Sequence, residues 1–192
     1  MNTSLWRQHI LPFTLLLGML AAATLFGDFL LHRMNLVWIG RYLGIPGTLL
    51  ILGSLVYSLR KRKYITSGNP KSMLRFHEIS AWLGSLMILI HAGVHFNAIL
   101  PWLATAAMAV NVISGLVGKY LLDQSRLHVQ GQREHFQLRG LSKLEVEQAV
   151  FWDAVSLDNM TRWRKVHIPI FVAFAVLSLG HIVSIFLFWG WI

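Results

Sequence analysis

Residues 163–192 read WRKVHIPIFVAFAVLSLGHIVSIFLFWGWI, an apolar run interrupted by His167 and His181, fourteen positions apart. An earlier apolar run repeats the arrangement with His77 and His91, again fourteen apart. Fourteen residues at about 3.6 per turn return to within about 40° of the same helix face and rise about 21 Å. Each run, as a helix, therefore presents two imidazoles on one stripe at two depths.

The composition places these helices in a membrane. Of the 192 residues 55% are hydrophobic and only 13% charged, with a mean hydropathy of +0.56; a soluble domain carries about twice that charged share. Several windows reach the roughly 20 apolar residues that span a bilayer. The net charge of +9 resides between the apolar runs. There, basic residues set topology and meet anionic lipid headgroups rather than nucleic acid. The absence of cysteine removes disulfides, thiolate metal sites, iron–sulfur clusters and covalently attached haem together. Any redox centre must then be held by histidine or methionine. No basic leader or Ala-x-Ala site precedes the first apolar run, so that run is expected to be retained.

The expected fold is an all-α integral membrane protein, one domain of five transmembrane helices. The spans are placed at about 9–31, 36–59, 77–100, 102–122 and 165–191. The first carries Asp28 and His32 near its far end. The second is glycine-rich (Gly40, Gly44, Gly47, Gly53), with Arg41 near its start and Pro46 within it. Arg60-Lys61-Arg62-Lys63 and a turn-like Ser67-Gly68-Asn69-Pro70 follow. Pro101 is expected to stop the third span, leaving it and the fourth as an antiparallel hairpin. Residues 123–163 form the sizeable polar loop, in which Ser142-Lys143-Leu144-Glu145 reads as a capping box that starts one of one or two short amphipathic helices. Fifteen of the seventeen lysines and arginines fall on one side of this topology, against Arg33 and Arg41 on the other. The positive-inside rule then puts the N-terminus in the cytoplasm and the C-terminus outside, in the periplasm if the membrane is a bacterial inner membrane.

Spans three and five then run in the same direction. His77 and His167 share the inner level, and His91 and His181 the outer. Two axial imidazoles, one from each facing helix, are what a b-type haem iron takes in electron transfer. The pattern thus reads as two haem b groups, the inner iron on His77 and His167, the outer on His91 and His181, within four of the five helices. Taken singly, a histidine at a span end is more often an interfacial residue; two equal spacings on parallel helices outweigh that reading. His95 lies one turn beyond His91 and stands as a propionate donor or a quinol-site residue, with His91 favoured as ligand. His91-x-x-x-His95 is also similar to one histidine box of membrane di-iron enzymes, which need several. Flat haem faces need small neighbours, here Gly40, Gly44 and Gly47 at the outer level and Gly115 and Gly118 at the inner; ordinary helix packing explains any one of them as well. Propionates meet basic groups: Arg41 outside, and Arg75, Arg162, Arg164 or Lys165 inside, all equally explicable as interfacial residues. Asp28 and Glu78 are carboxylates at span borders, solvated or engaged in proton handling.

Arg75-Phe76-His77-Glu78 through Leu83-Gly84 to His91, and Trp163-Arg164-Lys165-Val166-His167 through His181, resemble the di-haem membrane cytochrome b group, in particular the ferric reductase-like transmembrane and small bacterial cytochrome b families. The resemblance covers about residues 75–122 and 160–190. It implies that His77, His91, His167 and His181 are axial ligands on the third and fifth spans. No flavin- or NADPH-binding domain follows the last span, so the expected electron donor and acceptor are diffusible or on separate subunits. The expected function is a di-haem cytochrome subunit carrying electrons across the membrane. Its partners would be the quinone pool, membrane lipid and an outer-side redox subunit such as a multihaem cytochrome or an iron–sulfur protein. Two alternatives remain: the membrane haem half of a two-component reductase, and a haem-free scaffold or transporter subunit whose histidines bind metal or protons.

Overall fold

The computed structural model describes residues 11–94 and 99–188; at positions 94, 121, 123, 124, 160, 163 and 164 it describes the backbone alone. His95, the span ends expected at 9–10, 95–98 and 189–191, and the side chain of Arg164 lie outside the described residues. The chain forms α1 (Leu11–Arg33), α2 (Val37–Tyr42), α3 (Gly44–Lys61), α4 (Pro70–Val94) and α5 (Ile99–Val117). A π-helical turn (Gly118–Leu122) leads into α6 (Asp123–Leu138), followed by α7 (Lys143–Ala149) and α8 (Phe151–Phe188). No strand occurs among the described residues.

Five stretches are long and apolar enough to cross a membrane: Leu11–Arg33, Val37–Lys61, Pro70–Gly93, a window within Ile99–Leu138, and Lys165–Phe188. Large apolar side chains such as Leu25, Phe26, Phe29, Leu179, Phe186 and Leu187 point outward from them. A bilayer solvates such a surface, and the helices satisfy their own backbone groups within it.

Local chemistry sets the helix ends. Asn35 closes α1 in the left-handed region (φ 57°), with Leu36 N–H donating to Leu31 O at 2.8 Å, the bond pattern that ends helices on glycine or asparagine. Pro46 has no N–H for the Tyr42 carbonyl, and the α2/α3 boundary falls there. Asn69 Oδ1 accepts the Lys71 N–H at 3.0 Å with Pro70 as the first helical residue, a favoured way to begin a helix. That start places His77 two turns inside α4, and Lys71 and Arg75 on the helix rather than in the link. Pro101 stands in the first turn of α5, where N–H groups have no intrahelical acceptor to serve. Residues 123–163 are helical apart from the turn around Gly140 (φ 82°) and a break at Val150. With no proline between Leu122 and Leu138, the apolar helix runs through the π turn into a polar one.

The structure divides into two compact units, one of Gly18–Val112 with Val172 onward, the other of Ile113–Phe171 with the residues up to Leu17. The first is built on the α3–α4 pair. A Cβ added to Gly47 would lie 3.0 Å from the Gly84 carbonyl oxygen, and one on Gly84 would lie 2.9 Å from that of Gly47. The two backbones touch, so neither position admits a side chain without separating the helices. α1 lies against α4 through Gly27, where a Cβ would meet Ile90 Cδ1 at 2.7 Å.

The second unit has a small core of Leu122, Val129, Val146 and Val150, all fully buried. Arg133 Nη2 and Glu147 Oε2, 2.9 Å apart, link α6 to α7, and His128 lies 3.7 Å from Asp153 at the start of α8. These pairs are largely exposed and contribute at most about 1 kcal/mol each. The capping box forms as expected. Ser142 Oγ accepts the Glu145 N–H at 3.4 Å, and the Ser142 N–H donates to Glu145 Oε2 at 2.8 Å. The Ser142 backbone N–H, then its hydroxyl, hold the Glu145 carboxyl below its ordinary value.

Candidate functional site: the histidine centres

On α4, His91 and His77 are held alike. His91 Nδ1 lies 3.1 Å from the Gly40 carbonyl, and His77 Nδ1 3.0 Å from that of Ser54. A carbonyl only accepts, so Nδ1 carries the hydrogen in both, and in the neutral ring Nε2 carries the lone pair. The partners follow a register. Ser54 meets His77, Gly47 meets Gly84 and Gly40 meets His91, stepping by seven residues along each helix in opposite directions. Seven residues make nearly two turns, so contacts at this interval recur on one seam. The central glycines bring the backbones close enough for the imidazoles at either end to reach the other helix.

His181 of α8 faces His91, with ring centres 6.3 Å apart and planes inclined at 53°. As a ring pair alone this lies within the range of aromatic contacts. It is also the spacing of an axial ligand pair: with metal–nitrogen bonds of about 2.0–2.1 Å, a linear imidazole–metal–imidazole unit places ring centres roughly 6.3 Å apart. Gly44 borders the His91 imidazole so closely that a Cβ would lie 3.0 Å from its ring. The His91 centre therefore combines a fixed tautomer, a facing imidazole and a glycine wall. Those features fit an axially ligated flat group.

His77 is half-buried and also meets the Tyr57 ring, with centres 5.5 Å apart. His167 belongs to the other unit. Its Nδ1 shares a hydrogen bond with Ser114 Oγ, and a Cβ on Gly115 would lie 3.8 Å from its Cε1. Ser114 is almost fully buried. His77, His91 and His167 thus each have a partner on Nδ1, which orients metal-binding histidines through their second nitrogen.

The structure brings His91, His181, Gly40 and Gly44 together, and sets Gly115 beside His167. Arg41, next to Gly40 in sequence, and Arg75, two residues before His77, are exposed. Among the described residues no three or more histidine and acidic side chains cluster as metal ligands.

The residues missed by sequence reading are Ser114 and Ser54, together with the role of Gly40 as an acceptor. Ser54 and Gly40 carried a signal, since they flank Gly47 at the same interval by which Gly84 divides His77 from His91. Ser114 carried none beyond adjacency to Gly115. No family model, curated protein or solved structure matches the chain.

Proposed function

We propose that this chain is a di-haem b-type cytochrome subunit carrying electrons across the membrane between the quinone pool and a separate redox partner subunit. The observation that carries the reading is the shared geometry of the α4 histidines, with Nδ1 of each on a backbone carbonyl and an imidazole facing His91 at 6.3 Å. A polar side chain within a membrane helix is expensive and tends to be functional. Two half-buried ones on one helix, fixed in the same tautomer at matched register, have a common purpose.

In this reading His91 and His181 hold the outer haem iron, and His77 and His167 the inner. Haem supplies a reversible one-electron couple whose potential the protein sets through ligands, hydrogen bonds and burial. The Gly40 and Ser54 carbonyls, accepting from Nδ1, raise the donor strength of Nε2 and fix ring orientation. Gly44 leaves room for the His91 imidazole itself, and Gly115 stands beside that of His167. Arg41 on one side, and Arg75 and Arg164 on the other, supply positive charge for propionates. The basic links face the cytoplasm, and the redox partner, a multihaem cytochrome or an iron–sulfur protein, docks at the opposite face.

The test is a reduced-minus-oxidised spectrum of detergent-purified protein with haem counted per chain. Two non-covalent b-type haems are expected, falling to about one in His91→Ala or His181→Ala. A folded, colourless protein from cells supplied with haem overturns the proposal.

A further inference from the structure

We propose that Asp28 and His32 form the proton-transfer site for a hydroquinone at the His91 end of the molecule. This rests on the function proposed above, and assigns it a substrate-facing group that is neither an expected haem ligand nor a propionate partner. Asp28 sits in α1 with Oδ1 shut off from solvent and accepting no hydrogen bond. A buried carboxylate oxygen without a donor is costly, and such an atom calls for an explanation in ligand or function. Its position is made by Gly93 of α4, where a Cβ would lie 3.2 Å from Oδ1. Gly93 is two residues beyond His91. The orphan acceptor therefore lies against the same end of α4 as His91, on the face of that helix turned about 160° from it.

His32, one turn further along α1, completes the pair. Its Nδ1 donates to the Asp28 carbonyl at 2.9 Å and lies 3.5 Å from Oδ1. The side chain of Asp28 is 30% exposed and that of His32 52%, so the two form a step from a shielded oxygen toward solvent. The nearest charged or titratable groups in sequence on the two helices are Arg33, exposed at the end of α1, and His91, two residues before Gly93 on α4. Leu25, Phe26 and Phe29 of the same helix are exposed apolar side chains, giving a lipid-borne ring an apolar approach. A hydroquinone combines that apolar ring with a hydroxyl donor, which is what Oδ1 lacks.

The step balances as follows. The hydroquinone gives up two electrons, one at a time, and two protons; haem, if held as proposed above, would take the electrons. Each O–H bond breaks with its proton passing to the Asp28 carboxylate; His32, released from the Asp28 carbonyl as its Nε2–H tautomer, takes that proton at Nδ1 and gives its Nε2 proton to water before the next arrives. The quinone leaves to the bilayer; quinone reduction runs the same path backward.

The experiment compares wild type, Asp28→Asn, Asp28→Glu and His32→Ala, purified and oxidised, with a short-chain alkyl hydroquinone as probe. Three quantities are read: equilibrium binding of the probe, the rate of haem reduction by it, and the rate by dithionite, which needs no proton acceptor. Asp28→Asn is expected to keep both haems and its dithionite rate, bind the probe about tenfold more weakly, and be reduced by it about a hundredfold more slowly. Asp28→Glu should recover part of the rate. His32→Ala should slow hydroquinone reduction severalfold and be rescued by added imidazole. Wild-type binding and rates in Asp28→Asn overturn the proposal and leave water as the occupant of the site. If Asp28→Asn fails to fold, His32→Ala decides, and a wild-type rate without imidazole overturns the relay. If the wild type carries no haem, the function proposed above fails separately; equal probe binding by wild type and Asp28→Asn then overturns this inference, and weaker binding by the variant sustains it.

Discussion

His91 and His167 are both expected axial ligands, one at each level, and their second nitrogens are held by different chemistry. His91 Nδ1 meets the Gly40 carbonyl, a backbone group that no substitution removes and that accepts in every state. His167 Nδ1 meets the Ser114 hydroxyl, which can donate or accept and is one substitution from absence. The first arrangement fixes the tautomer outright. The second makes it depend on how a hydroxyl turns, so a side chain chosen independently of the helix backbone controls that centre. A centre held by backbone is built for constancy; one held by a serine can be adjusted.

The difference can be tested from its largest expected effect downward. His91→Ala removes the ring itself and should eliminate one haem per chain, counted by pyridine extraction, with the second haem kept. Gly84→Val forces apart the α3–α4 backbones and so strikes the Gly40 and Ser54 bonds together. It should destabilise the protein by about 1–3 kcal/mol, as overpacking does, and perturb the spectra of both haems; perturbation of one alone would break the register argument. Ser114→Ala should leave two haems but shift the midpoint potential of one by about 20–60 mV, the one-electron equivalent of a single net hydrogen bond. An unmoved potential would show that the hydroxyl plays no part in tuning His167.

The smallest effect lies in the polar unit. Glu145 is held below its ordinary carboxylate value by Ser142. Its contribution is therefore complete above the unfolded-state value and fades as the pH falls through the depressed folded value. Glu145→Gln should lower stability slightly near neutrality, where the carboxylate contributes, and leave the unfolding transition unchanged at acid pH, where Glu145 is already protonated.

Much of this fold was legible in the sequence because a bilayer leaves few alternatives to the helix. Apolar length showed the five spans, and the interval between His77 and His91 placed both on one face. The start of α4 was legible too, since Asn69-Pro70 is a helix-opening pair, but hydropathy drew the boundary at His77 because Lys71 and Arg75 are polar. The helix running from α5 into α6 was obscured for the same reason: charge marks where the membrane ends, and a helix can pass that point. The contacts of His91 and His77 with Gly40 and Ser54 depend on how two helices are aligned, which no periodicity within one helix reveals. Ser114 is an ordinary residue until a histidine arrives beside it.

The seven-residue seam that α2 and α3 form with α4 has a mechanical consequence. Sliding one helix along the other by a single residue breaks the contacts at Gly40, Gly47 and Ser54 together, and the next coincidence comes a full seven residues later, with Ser54 opposite Gly84 and a histidine stranded beyond. The pair behaves as a ratchet with one usable tooth. Thermal motion can tilt or part these helices slightly, but it cannot trade one register for another. Each imidazole of α4 is thereby tied to one acceptor, His77 to Ser54 and His91 to Gly40, and any relay that depends on their orientation inherits that constancy.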